Sequence, residues 1–327
     1  MPELPDVELY VERLQSKIRG TPVSRVRIAS PFVLRTTDPP VGAVEGKVVR
    51  EVRRLGKRIV LALENDLFLV IHLMVLGRLR WREPGAAIPG KRGLLAIDFP
   101  SGTLLLTEEG TKRRASLHVV AGETALSTLD RGGLEPLGSS PVEFAARLRA
   151  APHTLKRAMT DPRVLSGVGN AYSDEILHRA RLSPFRLTRQ LDDDEMSRLH
   201  DATQHVLRDW IERLRKETPE GSFPEKVTAF REGMSVHGRY RQPCPVCGSP
   251  VQRIAYAENE ANYCARCQTA GRLLADRALS RLLKDDWPKT LDELESTKGL
   301  GALAPRRSPE GGSRKTPAAG QRKRQSP

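Results

Sequence analysis

The four cysteines constrain this chain more than any other feature. Cys244, Cys247, Cys264 and Cys267 are its entire thiol content, and they fall as two C-x-x-C pairs with sixteen residues between them. That spacing is the pattern of a four-cysteine zinc ribbon, in which each pair gives two thiolates to one Zn²⁺ and a hairpin joins the pairs. The residues predict the hairpin as Val251–Tyr256 out and Ala261–Tyr263 back. All four ligands come from the protein, so no position is left for a reactive water and the zinc is expected to be structural. Unrelated thiols are the competing reading, which the paired spacing disfavours. Ribbons bind DNA, RNA or protein; Arg239, Arg241, Arg253, Arg266 and Arg272 around this one favour nucleic acid.

The charge agrees. Lys and Arg number 54 against 40 Asp and Glu, and the last 27 residues contribute +6 of the formal +14. The remaining body is still basic, which favours a polyanionic partner. No stretch reaches the ~18 apolar residues of a membrane span; the longest, Leu67–Leu76, contains His72. The start lacks the basic-then-apolar order of a secretory signal. A cytoplasmic protein with no membrane partner is expected, one in which the thiols stay reduced.

Length 327 is enough for about two domains. Residues 3–19 predict one amphipathic helix, with Val7, Tyr10, Val11, Leu14 and Ile18 at three- and four-residue spacing. Short strands follow at Val23–Ile28, Lys47–Val52, Arg58–Leu63, Leu67–Leu73, Gly93–Phe99, Thr103–Thr107 and Ser116–Val120, separated by turn residues, as in an antiparallel sandwich. Helices are predicted at Val142–Arg149, Leu155–Met159, Tyr172–Ala180 and Asp193–Arg215, and a short one at Ala275–Leu283. Beyond about residue 300 the chain is too poor in apolar groups to order itself.

The chain opens Met1-Pro2-Glu3-Leu4-Pro5-Asp6. If Met1 is removed, Pro2 exposes a secondary amine, and an α-amine titrates near ~8, far below lysine. Such an amine attacks a carbonyl-level carbon to form a Schiff base, and Glu3 and Asp6 stand beside it as candidate proton shuttles. The plain alternative is an incidental start in which Glu3 complements the helix dipole.

Taken in order, Pro2-Glu3-Leu4-Pro5, Gly56-Lys57, His72-Leu73, Gly167-Val168-Gly169-Asn170-Ala171-Tyr172-Ser173-Asp174-Glu175 and the four-cysteine finger resemble the formamidopyrimidine-DNA glycosylase/endonuclease VIII family, from residue 1 to about 285, and the formamidopyrimidine-DNA glycosylase branch more closely. The resemblance implies base flipping from duplex DNA, attack by Pro2 on C1′, and strand elimination through the imine, β and then δ. It implies Glu3 as the proton-transfer carboxylate and Lys57 as a catalytic and phosphate-contacting lysine. Asn170 is implied as the phosphate ligand of a helix–two-turn–helix clamp, and His72 as a group near the DNA backbone. By themselves, Lys57 reads as a solvated strand-edge lysine, His72 as a satisfied core residue, and Gly167–Asn170 as a helix N-cap with Asn170 as cap. Two glycines there permit close approach and free N–H groups for a phosphate.

Several positions depart from the family pattern. The void-filling Met falls one place early, at Met74 rather than Val75, and one step along a strand reverses the face. Arg113 stands where the wedge Arg does, but the aromatic that follows is Ala115. Asn259 occupies the finger-tip Arg position, and Asp6 replaces a Glu. The expectation is retained lyase chemistry with altered damage reading.

These readings converge on a multidomain α+β protein: an N-terminal helix plus antiparallel β-sandwich domain (1–132), a helical helix–two-turn–helix domain (133–235), a zinc-finger domain (236–287) and a basic, mostly disordered tail (288–327). The expected function is a bifunctional DNA glycosylase and AP lyase for oxidised bases, a monomer using one structural Zn²⁺ and double-stranded damaged DNA as partner. A damage-binding accessory of the same family and a zinc-ribbon protein of RNA or translation machinery are the alternatives.

Overall fold

The computed structural model describes residues 1–110, 112–225, 231–256, 259–275 and 288–298. Helix α1 (Leu4–Ile18) starts where Pro5 fits its first turn and the Glu3 N–H bonds Asp6 Oδ2 at 2.8 Å. Its Val7, Tyr10, Leu14 and Ile18 enter the core of the sandwich, while Leu4 enters the separate core of the helical region. One helix therefore spans both bodies.

Eight strands make two antiparallel four-stranded sheets. One has the order β1 (Arg25–Ile28), β6 (Gly93–Phe99), β7 (Gly102–Glu108), β5 (Gly77–Arg82); the other runs β2 (Val49–Leu55), β3 (Arg58–Leu63), β4 (Leu67–His72), β8 (Ser116–Ala121). Strict alternation sorts the faces of the second sheet. Ile59, Leu61, Leu69, Ile71, Leu117 and Val119 face the shared core, and Val60, Ala62, Phe68, Val70 and Val120 face outward beneath Leu126 of the short helix α2 (Glu123–Ser127). Strand β5 was not among the expected strands, because Arg78, Arg80 and Arg82 alternate with few apolar residues.

The helical region comprises α3 (Pro141–Ala150), α4 (Leu155–Thr160), α5 (Asn170–Ala180) and the long α6 (Asp193–Glu217). The apolar faces of α4, α5 and α6 close over Leu155, Met159, Ile176, Leu199 and Trp210. The finger is the hairpin β9 (Gln252–Tyr256) and β10 (Asn259–Tyr263), followed by α7 (Ala265–Thr269). Helix α8 (Leu291–Lys298) corrects the expected tail: Leu291 is buried against Ile254, Tyr263 and Leu273 of the finger, so order persists past residue 288. Most of the helix expected at Ala275–Leu283, and the chain past 298, lie outside the described residues. No described helix is long and apolar enough to cross a membrane.

Candidate active site and metal centre

The N-terminus is fixed by the loop that precedes α5. The Leu4 N–H donates to the Gly167 carbonyl at 2.9 Å. The Glu3 carboxylate lies on the open end of α5: Oε2 accepts from the Gly169 N–H at 2.7 Å and the Tyr172 N–H at 3.3 Å, and Oε1 from the Ala171 N–H at 2.9 Å. This corrects the expectation that these N–H groups await a phosphate and that Asn170 caps the helix. Gly169 is the cap residue, Asn170 is the first helical residue, and the negative end of Glu3 satisfies the helix terminus.

The glycines are required by this approach. Gly167 has φ +77°, and a Cβ there would meet Leu4 Cβ at 2.9 Å. A Cβ on Gly169 would lie 2.5 Å from both Glu3 Cδ and Lys57 Nζ, so carboxylate and ammonium converge on the same bare backbone. Lys57 arrives there on the tight turn between β2 and β3. Burial lowers its ammonium below the usual range, opposed by Glu3 and Asp6. The α-amine on Met1 faces Glu3, Arg78, Asp6 and Lys57, and burial lowers it too. Pro2 is buried between these groups.

Asp6 is not free to shuttle protons as expected. Its carboxylate pairs with the Arg231 guanidinium and accepts the Glu3 N–H; burial raises it, against the pull of Arg231. Arg54 makes a second clamp between the two bodies, donating to Glu8 at 2.7 Å, to the Gly56 carbonyl at 2.9 Å and to Glu135.

The other expected residues lie on three segments: the end of β4 with the turn after it, the loop before β8, and the start of α5. His72 ends β4, and burial with Arg58 and Lys57 nearby pushes it down to about 4, so it is neutral at physiological pH. The strand stops there, which removes the face-reversal argument: Met74, at φ +52°, Val75 and Leu76 form a turn, and Val75 stands 48% exposed at its tip. Arg78 bonds the Val75 carbonyl at 3.2 Å, and a Gly110 Cβ would touch Leu76, so the turn abuts the loop carrying Arg113. That loop is held by Glu108, whose carboxylate accepts the Arg114 and Ala115 N–H groups, and Arg113 bonds the Lys91 carbonyl. Ala115 itself is buried in the sandwich core and offers no wedge. Asn170 is half-exposed; its carbonyl accepts from Lys156 Nζ at 2.7 Å.

Sequence reasoning missed the buried polar spine of α5. Lys156 pairs with Asp174 and donates to Ser173 Oγ. The other Asp174 oxygen meets His237 Nδ1 at 2.8 Å and Asn262 Nδ2 at 3.2 Å. Glu175 accepts three N–H groups, from Ser235, Val236 and His237. His178, one turn on, places Nε2 3.3 Å from Cys244 Sγ. Spaced at one, three and four residues, these side chains share the face of α5 that receives the finger.

The four cysteine sulfurs lie within 4.8 Å of one another, with Cys247–Cys264 at 3.4 Å and Cys244–Cys267 at 3.9 Å. Four thiolates at ~2.3 Å from a tetrahedral zinc stand about 3.8 Å apart, so the set fits one Zn²⁺. Gln268 steadies it by accepting the Cys264 N–H and donating to the Leu182 carbonyl.

Comparison with known proteins decides what this arrangement belongs to. The N-terminal domain of formamidopyrimidine-DNA glycosylase matches residues 1–115, its H2TH domain residues 133–219, and the zinc finger found in FPG and IleRS residues 241–270. The formamidopyrimidine-DNA glycosylase of Heliobacterium modesticaldum is 34% identical over 281 residues, covering 82% of this chain and all of that one. The chain belongs to the formamidopyrimidine-DNA glycosylase family. Its relative in Thermus thermophilus is also 34% identical, over 83% of this chain and 100% of that protein. The crystal structure of the Thermus thermophilus MutM (Fpg) protein overlays with a TM-score of 0.68 at 33% identity, covering 82% of this chain and 98% of that one. A Lactococcus lactis Fpg bound to abasic-site DNA shares the fold at 23% identity, TM-score 0.71, over 82% and 99% of the two chains. The finger of this family member carries one structural zinc.

Proposed function

We propose that the protein is a bifunctional DNA glycosylase and AP lyase for oxidised bases in duplex DNA, with Pro2 as the nucleophile once Met1 is removed. The observation that carries it is the convergence of Glu3 and Lys57 on Gly169, beside a buried N-terminus whose amine feels the charge of both. Burial lowers the α-amine at this end of the chain below its usual range, which favours the form with a free lone pair. The nitrogen bonds to C1′ as the C1′–N bond to the damaged base breaks, and the departing base takes up a proton. Ring opening gives the imine. Loss of the C2′ proton then expels the 3′ phosphate, and δ-elimination expels the 5′ phosphate. Glu3 is held at the reacting centre by α5 for proton transfer, and Lys57 supplies positive charge beside it. His72 and Asn170 face the DNA backbone, while Met74, Val75 and Arg113 rim the space left by the flipped base. The zinc supplies no chemistry; it braces the finger.

Borohydride trapping on an abasic duplex, followed by peptide mass spectrometry, tests this reading. A covalent adduct on the nitrogen of Pro2 is expected, and none from protein that retains Met1. An adduct on an internal lysine, or no adduct, defeats it.

The burial of Ala115 favours one refinement. Without the aromatic, roughly 1–3 kcal/mol of base stacking is missing, so abasic and distorted lesions are better substrates than 8-oxoguanine opposite C. Side-by-side excision assays that show robust 8-oxoguanine removal refute that preference.

A further inference from the structure

Beyond α2, the outer face of the β2–β3–β4–β8 sheet turns from apolar to cationic. Register aligns Arg58 with His72 and His72 with Ser116, while His118 stands opposite Val70, one row along. All four share the parity of Val60, Val70 and Val120, so Arg58, His72 and His118 stand side by side on that face. Arg131, exposed just after α2, faces the same group.

The cluster lacks the partners that buried cations need. Arg58 Nε and His118 Nδ1 are shielded from solvent and make no hydrogen bond. Neither Arg58 nor Arg131 has an ion pair among the described residues, and the one acid nearby, Asp130, accepts the Gly132 N–H at 3.0 Å. A half-buried guanidinium facing another, with only the exposed Asp130 carboxylate against the two, is under-compensated, and an incoming anion relieves that cost. The cluster adjoins His72 and Lys57 and leads from them along the sheet.

We propose that Arg58, His118 and Arg131 form a second backbone-phosphate site, which grips the duplex beyond the phosphate contacted by Lys57, His72 and Asn170. This rests on the duplex-binding reading above. Arg58 and Arg131 neutralise the phosphate, and His118 offers its unpartnered Nδ1.

Fluorescence anisotropy with a tetrahydrofuran abasic-analogue duplex over a sodium chloride series tests it. Each duplex phosphate contact contributes about 0.9 to the slope of log K against log salt. R58Q/R131Q lowers the slope by about that amount or more, and R58K/R131K restores it, since counterion release follows charge. R131Q alone, at an exposed position, also lowers it and guards against a folding defect from Arg58. One neutral methylphosphonate in the duplex should weaken the wild type and leave R58Q/R131Q unaffected. A wild-type slope in R58Q/R131Q, or a methylphosphonate scan identical for both proteins, overturns the site. Wild type that shows no salt-dependent binding defeats the duplex reading itself.

Discussion

Glu3 closes the N-terminus of a helix to which it does not belong, its Oε1 accepting the Ala171 N–H at 2.9 Å. Its main chain starts α1, and its side chain finishes α5. Replacing it by Gln turns an amide NH₂ toward donors that need an acceptor, which costs about 1–3 kcal/mol. Thermal melting should show E3Q several degrees below wild type; an unchanged melting temperature contradicts the capping role.

Gly169→Ala tests the bare backbone between Glu3 and Lys57. The backbone there, at φ −138°, accepts alanine, so the fold survives. The methyl group must displace Glu3 or Lys57, and under the proposed mechanism a displacement of about 1 Å costs roughly 10²-fold in rate. Single-turnover kinetics should show that loss with an unaltered circular dichroism spectrum.

The Asp6–Arg231 pair predicts a non-additive cycle. R231M leaves the buried Asp6 uncompensated and should cost about 3–5 kcal/mol. Adding D6N should recover much of that loss. Urea denaturation of the two single variants and the double variant checks it; additive losses would mean the pair is not coupled.

His72 predicts a pH dependence. Its folded value of about 4 lies below the unfolded value near 6.5. The unfolded chain therefore binds the extra proton, and this contribution to stability is complete above pH 6.5 and falls away as pH drops to about 4. The melting temperature of wild type should fall more steeply across that window than that of H72N.

The contact between His178 and Cys244 predicts a role for α5 in metal retention. Loss of such a partner typically lowers metal affinity 10–100-fold. Zinc release from H178A to a colorimetric chelator should be correspondingly faster than from wild type.

How much of this was legible in the sequence depended on whether periodicity or partners carried the information. Helix α1, seven sandwich strands, the long α6 and the finger hairpin all follow from apolar spacing and turn residues. Strand β5 was hidden by its three arginines, and α8 by its place beside a basic tail. In the site, the cysteines were legible from type and spacing, Glu3 from its place beside the N-terminal amine, and Lys57 only through the family resemblance. Asp174, Glu175 and His178 were given no role, because only the docked finger shows that their face of the helix is buried. Arg231 was invisible for a related reason, since its partner Asp6 is remote in sequence.

The polar face of α5 has a consequence for how the finger can be inherited. Glu175 and His178 find their side-chain partners in chain that follows residue 234, and Asp174 finds there the partners of its second oxygen, the first being held by Lys156. A protein cut there would strand Glu175 and His178 on its central helix and leave Asp174 with Lys156 alone. The finger is therefore not a detachable cartridge: swapping it for another ribbon would require rewriting the helix beneath it.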